Sequence, residues 1–156
     1  PFVDSLKKRL SLAPISDEEI RLFGQKAVGH ITAKMDALID KFRDKGCEIY
    51  IISGSFKEAI YPVAEKLKIP KDKVLALDLS GPYVDKRELA KKAKWSRPAI
   101  MIGDGMTDFD LVSSGYADKF VVFTRHVKRN AVVSKGEEAG SIEELETILN
   151  RYEKNP

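Results

Sequence analysis

The sequence predicts an α/β protein built on a parallel sheet with helices on both faces, preceded by a small helical segment. Three observations predict it. From residue 32 onward, helical patterns alternate with short apolar runs, as they do where parallel strands are covered on both sides. The first 27 residues show helical periodicity alone. Two apolar runs end in small and acidic residues, Ser53-Gly54 and Gly103-Asp104-Gly105. Ligands bind at such strand ends in open parallel sheets.

Each element has a local reason. Val3, Leu6, Leu10 and Leu12 form a rough helical stripe, closed by Pro14. Ser16 with Glu19 is a capping box that opens a second helix to about Ala27. Thr32 to Lys45 is a third helix, with Met35, Leu38, Ile39 and Phe42 on one face and Gly46 as its stop. Cys47 to Ile52 changes to strand character and runs into Ser53-Gly54. Phe56 to Lys68 is helical, Lys73 to Leu79 a strand, and Asp85 to Lys94 a helix. Ala99 to Ile102 is a strand, apolar enough to be buried, followed by a helix to about Ser114. Phe120 to Phe123 is a fourth strand, Val127 to Ser134 a weaker helix, and Ser141 with Glu144 caps a last helix to about Tyr152.

The chain has 156 residues, 43% hydrophobic and 33% charged, with a net charge of +3. These values suit a globular fold with one sizeable core. Lysine and arginine are scattered among acids, so no basic stripe predicts nucleic acid as a partner. No apolar run approaches the about 20 residues of a membrane span, and a single cysteine suits a reducing cytoplasm. Cys47 is expected in the core, Trp95 at the turn before the third strand, and His30 and His126 at helix ends.

The chemistry-bearing residues lie at the strand ends. Asp104, between two glycines, and Asp108, on the first turn of the next helix, could hold a hard cation such as Mg²⁺. A capping aspartate is the plainer alternative for such a loop acid. Ser53 offers a hydroxyl, and Gly54 and Ser55 offer N–H groups at a helix start, a cradle for phosphate oxygens or simply an N-cap. Lys86 stands near a helix N-terminus, where the dipole disfavours a cation, so it is a functional lysine or a solvated one.

Together these residues resemble the haloacid dehalogenase superfamily. Ile51-Ile52-Ser53-Gly54 resembles its motif II, Lys86 stands at a motif III position, and Ile100 to Asp108 is similar to motif IV. Phe2 to Leu10 looks like the cap segment of the phosphoserine phosphatases. The resemblance divides the chain into a partial helical cap, 1–27, and a core, 28–156, with the Rossmann-like parallel sheet of that superfamily. It implies a Mg²⁺-dependent phosphomonoesterase acting on O-phospho-L-serine or another small phosphate ester through an aspartyl-phosphate. Asp104 would bind Mg²⁺ and Asp108 would support it. Ser53 and Gly54 would hold the phosphoryl group, and Lys86 would neutralise its charge, with Lys91 in reserve. Thr107 would contact phosphate or orient its neighbours, and Arg9 would grip the substrate carboxylate. Phe2 is a cap or core aromatic.

One motif is missing. The family reaction needs an Asp-x-Asp pair at the end of a first strand, and no such pair follows an apolar strand here. Asp108-Phe109-Asp110 lies inside the motif IV helix. The resemblance places the pair, and the central strand that carries it, ahead of Pro1, and a first residue other than Met points to processing or truncation. The chain alone is therefore expected to show no turnover and weak Mg²⁺ affinity. The alternatives are an inactive binding module, or strands that pair directly or are completed by another chain in an oligomer.

Overall fold

The computed structural model describes residues 2–154, with side-chain surroundings for 3–153. The expected role of the Phe2 side chain falls outside the described residues. The chain divides into two compact units, Pro1–Ala93 and Lys94–Pro156.

The first unit carries α1 (Phe2–Leu12), α2 (Asp17–Val28), α3 (Met35–Asp44), β1 (Ile51–Phe56), α4 (Lys57–Lys66), β2 (Val74–Leu77) and α5 (Lys86–Ala90). β1 and β2 pair in parallel. Side chains alternate across β2 as a strand requires. Val74 and Ala76 join Ala64, Leu67 and Ile69 of the α4 end, with Met35 and Ile39 of α3 packed against them. Leu77, on the other face, joins Ile20, Phe56, Ala59 and Leu89, with Leu6 and Leu10 of α1 alongside. Helices thus cover both faces. The helical segment 1–27 shares this second cluster with β1, β2 and α5.

The contact between α2 and α4 depends on one small residue. A β-carbon on Gly24 would lie 2.5 Å from the Ala59 carbonyl oxygen. Only a residue without that atom lets the helices approach so closely. The Ser16 capping box is present: the Ser16 hydroxyl accepts the Glu19 N–H, and the Glu19 carboxylate accepts the Ser16 N–H at 2.8 Å.

The second unit carries β3 (Ile100–Gly103), α6 (Met106–Ser113), β4 (Lys119–Phe123), α7 (Asn130–Val133), β5 (Glu137–Ala139) and α8 (Ile142–Lys154). Its three strands are parallel in the order β3-β4-β5. Phe120 and Val122 pack with Val132, and with Phe109 and Val112 of α6, on one face. Val121 points to the other face and is fully buried, and α8 packs on β4 and β5. The strand starts are clamped by Asp118, whose carboxylate accepts the Ala99 N–H and the Arg97 guanidinium, both at 2.7 Å. Trp95 donates its indole N–H to the Tyr116 carbonyl at 2.9 Å, at the expected turn.

Several expectations are corrected. β1 begins at Ile51 rather than Cys47, because its partner β2 begins only at Val74, opposite Ile51. Cys47, outside the ladder, is exposed rather than in the core. β3 is not a buried strand: Ile102 is 37% exposed, against 0% for Val121 of β4. β4 has a strand on each side, whereas β3 pairs only with β4 among the described residues. The helix from Asp85 spans only Lys86–Ala90, and that from Val127 only Asn130–Val133. β5 was not foreseen at all. β1 and β3 lie in different sheets, each with a single partner among the described residues.

Candidate functional site

In the first unit, the chemistry gathers where β1 and β2 end. Between Ile52 and Phe56, four steps along β1, the partner advances only from Leu75 to Leu77, two steps. The surplus lies at Ser53-Gly54-Ser55, which therefore bulges from the ladder. Bulges recur beside active sites because they re-aim side chains. The Ser53 hydroxyl oxygen accepts the Ser55 N–H at 3.1 Å, a local turn that fixes the bulge. Phe56 then caps α4 without a side-chain bond.

Lys57, the first residue of α4, ion-pairs with Asp78, the residue after β2, at 3.0 Å. The hydrogen bond to Asp78 holds the Lys57 ammonium above its ordinary pKa, and burial opposes this. Sequence reasoning passed over this pair. The signal was available, since both residues follow strand ends.

Lys86 is the first residue of α5, directly after its N-cap Asp85. The Asp85 carboxylate accepts the N–H groups of Arg87 at 2.9 Å and Glu88 at 3.1 Å. Arg87 folds back on the same carboxylate at 2.8 Å. This acid cap offsets the unfavourable placement of a cation at a helix start. Lys86 is half-buried, and α5 packs on β1 and β2. Lys91, the reserve, is exposed and pairs with Glu88 one turn back. Arg9 is exposed on α1, its Nε donating to the Ser5 carbonyl at 3.3 Å.

In the second unit, Asp108 is 5% exposed, the one charged residue among the buried side chains described. Its Oδ2 accepts the N–H of Gly105 at 3.0 Å and of Asp104 at 3.2 Å. The capping alternative weighed for Asp104 thus belongs to Asp108. Gly105 is the N-cap and has no side chain to satisfy the turn, so the acid at the third helical position reaches back to do it. Asp104, freed from capping, sits at the end of β3 with its side chain 43% exposed. Arg129 pairs with it, its Nη1 donating to the carboxylate and, at 2.9 Å, to the Asp104 carbonyl. Thr107 is exposed on the first turn of α6.

A hard cation uses one or two carboxylates, with water and phosphate oxygens completing its shell. The Asp104 carboxylate fits as one such ligand. Asp108 fits as the group that fixes the loop, because its Oδ2 is committed to two N–H groups. Among the described residues, no cluster of three or more His, Cys, Asp or Glu side chains gathers to hold a metal. No helix among them is long and apolar enough to cross a membrane.

The arrangement has relatives. No family model matches the chain. It is 28% identical to the chloroplastic phosphoserine phosphatase of Arabidopsis thaliana, over 96% of this chain and 57% of that protein. It is 29% identical to the phosphoserine phosphatase of Homo sapiens, over 85% of this chain and 66% of that protein. A crystal structure of a phosphoserine phosphohydrolase-like protein from Francisella tularensis superposes with a TM-score of 0.84. That pair is 31% identical, over 95% of this chain and 77% of the other. The chain belongs to the phosphoserine phosphatase-like group of the haloacid dehalogenase superfamily.

The chain spans 57% of the plant relative and 66% of the human one. Within this family, the expected motif II residues Ser53 and Gly54 lie in the β1 bulge, and Lys86 begins α5. The motif IV acids Asp104 and Asp108 share one loop. The Asp108-Phe109-Asp110 run lies within α6, as expected.

Proposed function

We propose that this chain carries the phosphate- and cation-binding groups of a Mg²⁺-dependent phosphomonoesterase whose substrate is O-phospho-L-serine. The observation that carries the reading is the motif IV loop. A half-exposed carboxylate, Asp104, is presented at a strand end by a buried acid, Asp108, that ties down the backbone on either side of the Asp104–Gly105 peptide. That division of labour suits a hard cation, with one oxygen ligand offered and its loop kept rigid. Similarity to proteins named phosphoserine phosphatase supports the substrate.

In this reading, a cation on Asp104 would draw charge from the phosphoryl oxygens. By the resemblance to motif II, the N–H groups and hydroxyl of the β1 bulge would bind phosphate oxygens. Lys86 would neutralise the negative charge that builds on them. Thr107 would donate to phosphate from the first turn of α6. Arg9 would hold the substrate carboxylate through its guanidinium fork. Lys86 is preferred to Lys91 because it is half-buried after a cap, whereas Lys91 is an exposed partner of Glu88.

The nucleophile is a separate matter. The only Asp-x-Asp in the sequence is inside α6, so we infer that these residues alone do not turn over substrate. This also favours a second reading, a binding module that retains a phosphate pocket without catalysis. One assay separates the two. The full-length product of the gene is incubated with O-phospho-L-serine and Mg²⁺, beside this chain, and phosphate is measured. Release by the full-length protein that needs Mg²⁺ and falls in Asp104→Asn supports the enzyme. No release from it rejects the enzyme, and release by this chain alone rejects the nucleophile argument.

A further inference from the structure

Arg129 was not singled out in the sequence, yet it holds the carboxylate that the proposed function assigns to a cation. Its position is well anchored. The Arg129 carbonyl accepts the N–H groups of Val132 at 2.9 Å and Val133 at 3.2 Å, tying its backbone to the first turn of α7. Val132 is in turn buried against Phe120 and Val122. Its neighbour Lys128 is engaged elsewhere, with Glu138 at 2.8 Å. From this mount, one nitrogen, Nη1, donates both to the Asp104 carbonyl and to its Oδ2. A chance surface pair grips a carboxylate alone. A donor bonded to both the main chain and the side chain of one residue also fixes where that carboxylate points.

We propose that Arg129 is a built-in competitor of the divalent cation at Asp104, a guanidinium that the cation must displace to reach Oδ2. The inference rests on the reading of Asp104 as a cation ligand. A guanidinium nitrogen and a metal ion cannot both take the same lone-pair region of Oδ2. Two positive charges drawn to one carboxylate oxygen also repel, by more in a partly desolvated loop than in open water. The bond to the Asp104 carbonyl does not depend on the carboxylate. It lets Arg129 stay nearby when displaced, so the exchange is reversible. The pair therefore sets the threshold of cation concentration at which Asp104 changes partner.

The test measures cation binding directly. The full chain is titrated with Mn²⁺ as a paramagnetic probe, for wild type, Arg129→Gln, Arg129→Lys and Asp104→Asn. Removing the competitor is expected to tighten Mn²⁺ binding in Arg129→Gln by about tenfold, or about 1.4 kcal/mol, with Arg129→Lys between it and wild type. In wild type, the guanidinium NMR signal of Arg129 is expected to shift as Mg²⁺ is added. Unchanged or weaker binding in Arg129→Gln, with binding lost in Asp104→Asn, overturns the competitor and leaves the cation site standing. Undiminished binding in Asp104→Asn overturns the cation site itself. Should Arg129→Gln fail to fold, the wild-type NMR titration decides, since an Arg129 signal that ignores saturating Mg²⁺ overturns the proposal.

Discussion

Asp108 stands directly over Gly103, so close that a β-carbon on Gly103 would lie 2.3 Å from its Oδ2. The neighbour met there is the carboxylate that holds the Asp104 and Gly105 N–H groups, so it cannot swing away without releasing them. Gly103→Ala is therefore expected to act as a loop mutation. Overpacking costs about 1–3 kcal/mol. Each N–H left without its acceptor adds less than the about 1–3 kcal/mol of a fully buried group, because these two are partly buried. Gly103→Ala and Asp108→Ala should each lower the urea midpoint and speed hydrogen exchange at Asp104 and Gly105. A Gly103→Ala protein with wild-type exchange at those amides would show that Asp108 does not pin the loop.

The same reasoning applies to Gly24, with two opposed effects to weigh. Alanine is favoured over glycine inside a helix by about 1 kcal/mol. Its β-carbon would lie 2.5 Å from the Ala59 carbonyl oxygen and 2.9 Å from the Ala59 α-carbon. Both are backbone atoms, so the strain is relieved only by moving a helix. The clash should win, and Gly24→Ala should destabilise by about 1–3 kcal/mol in urea unfolding. A gain in stability would mean that α2 and α4 are less tightly apposed.

Much of this fold is legible along the chain because its signals are local. The capping box at Ser16 fixes one helix start. The Ser141 hydroxyl that accepts the Glu144 N–H fixes another, with the Glu144 carboxylate taking the Gly140 N–H rather than that of Ser141. The apolar run 120–123 reads directly as a buried strand. What the sequence conceals depends on partners distant in it. Ile49 and Tyr50 look as strand-like as Ile51, yet only Ile51 finds a partner in β2. Glu137–Ala139, three residues with two glutamates, becomes a strand only because β4 lies beside it. At the site, Asp104, Asp108 and Ser53 stand out as small or acidic residues after apolar runs. Arg129 does not, because its contact spans 25 positions and it sits in a basic run with the usual look of a solvated face.

The Asp85 cap on α5 makes the start of that helix acid-sensitive. The hydrogen bond from Arg87, with those from the Glu88 and Arg87 N–H groups, holds the Asp85 carboxyl below its ordinary pKa, against burial. A depressed folded pKa gives stability that is complete above the unfolded value of about 3.9. It is lost as pH falls through the folded value. Asparagine keeps a capping oxygen but not the titration. The difference in unfolding free energy between wild type and Asp85→Asn should shrink as pH falls below about 4, and Asp85→Ala should cost about 0.5–2 kcal/mol at neutral pH. A difference that does not vary with pH would remove the assigned role of the charge.

Tyr152 makes the opposite case at high pH. It lies on α8, and its hydroxyl donates to Oε1 of Glu137 on β5. Arg151 pairs with the other carboxylate oxygen at 2.6 Å. Burial, then the hydrogen bond to Glu137 and its charge, push the Tyr152 phenol up to about 12. Its raised folded pKa gives stability that is whole below the unfolded value of about 10 and is lost as pH rises through the folded one. One of the five tyrosines should thus ionise near pH 12 in a spectrophotometric titration of the folded chain, and that step should vanish in Tyr152→Phe. Because burial is the larger cause, Glu137→Gln should bring the step only part of the way back to the ordinary range. A full return would make the carboxylate, rather than burial, the dominant cause, and no change at all would remove the α8–β5 hydrogen bond from the account.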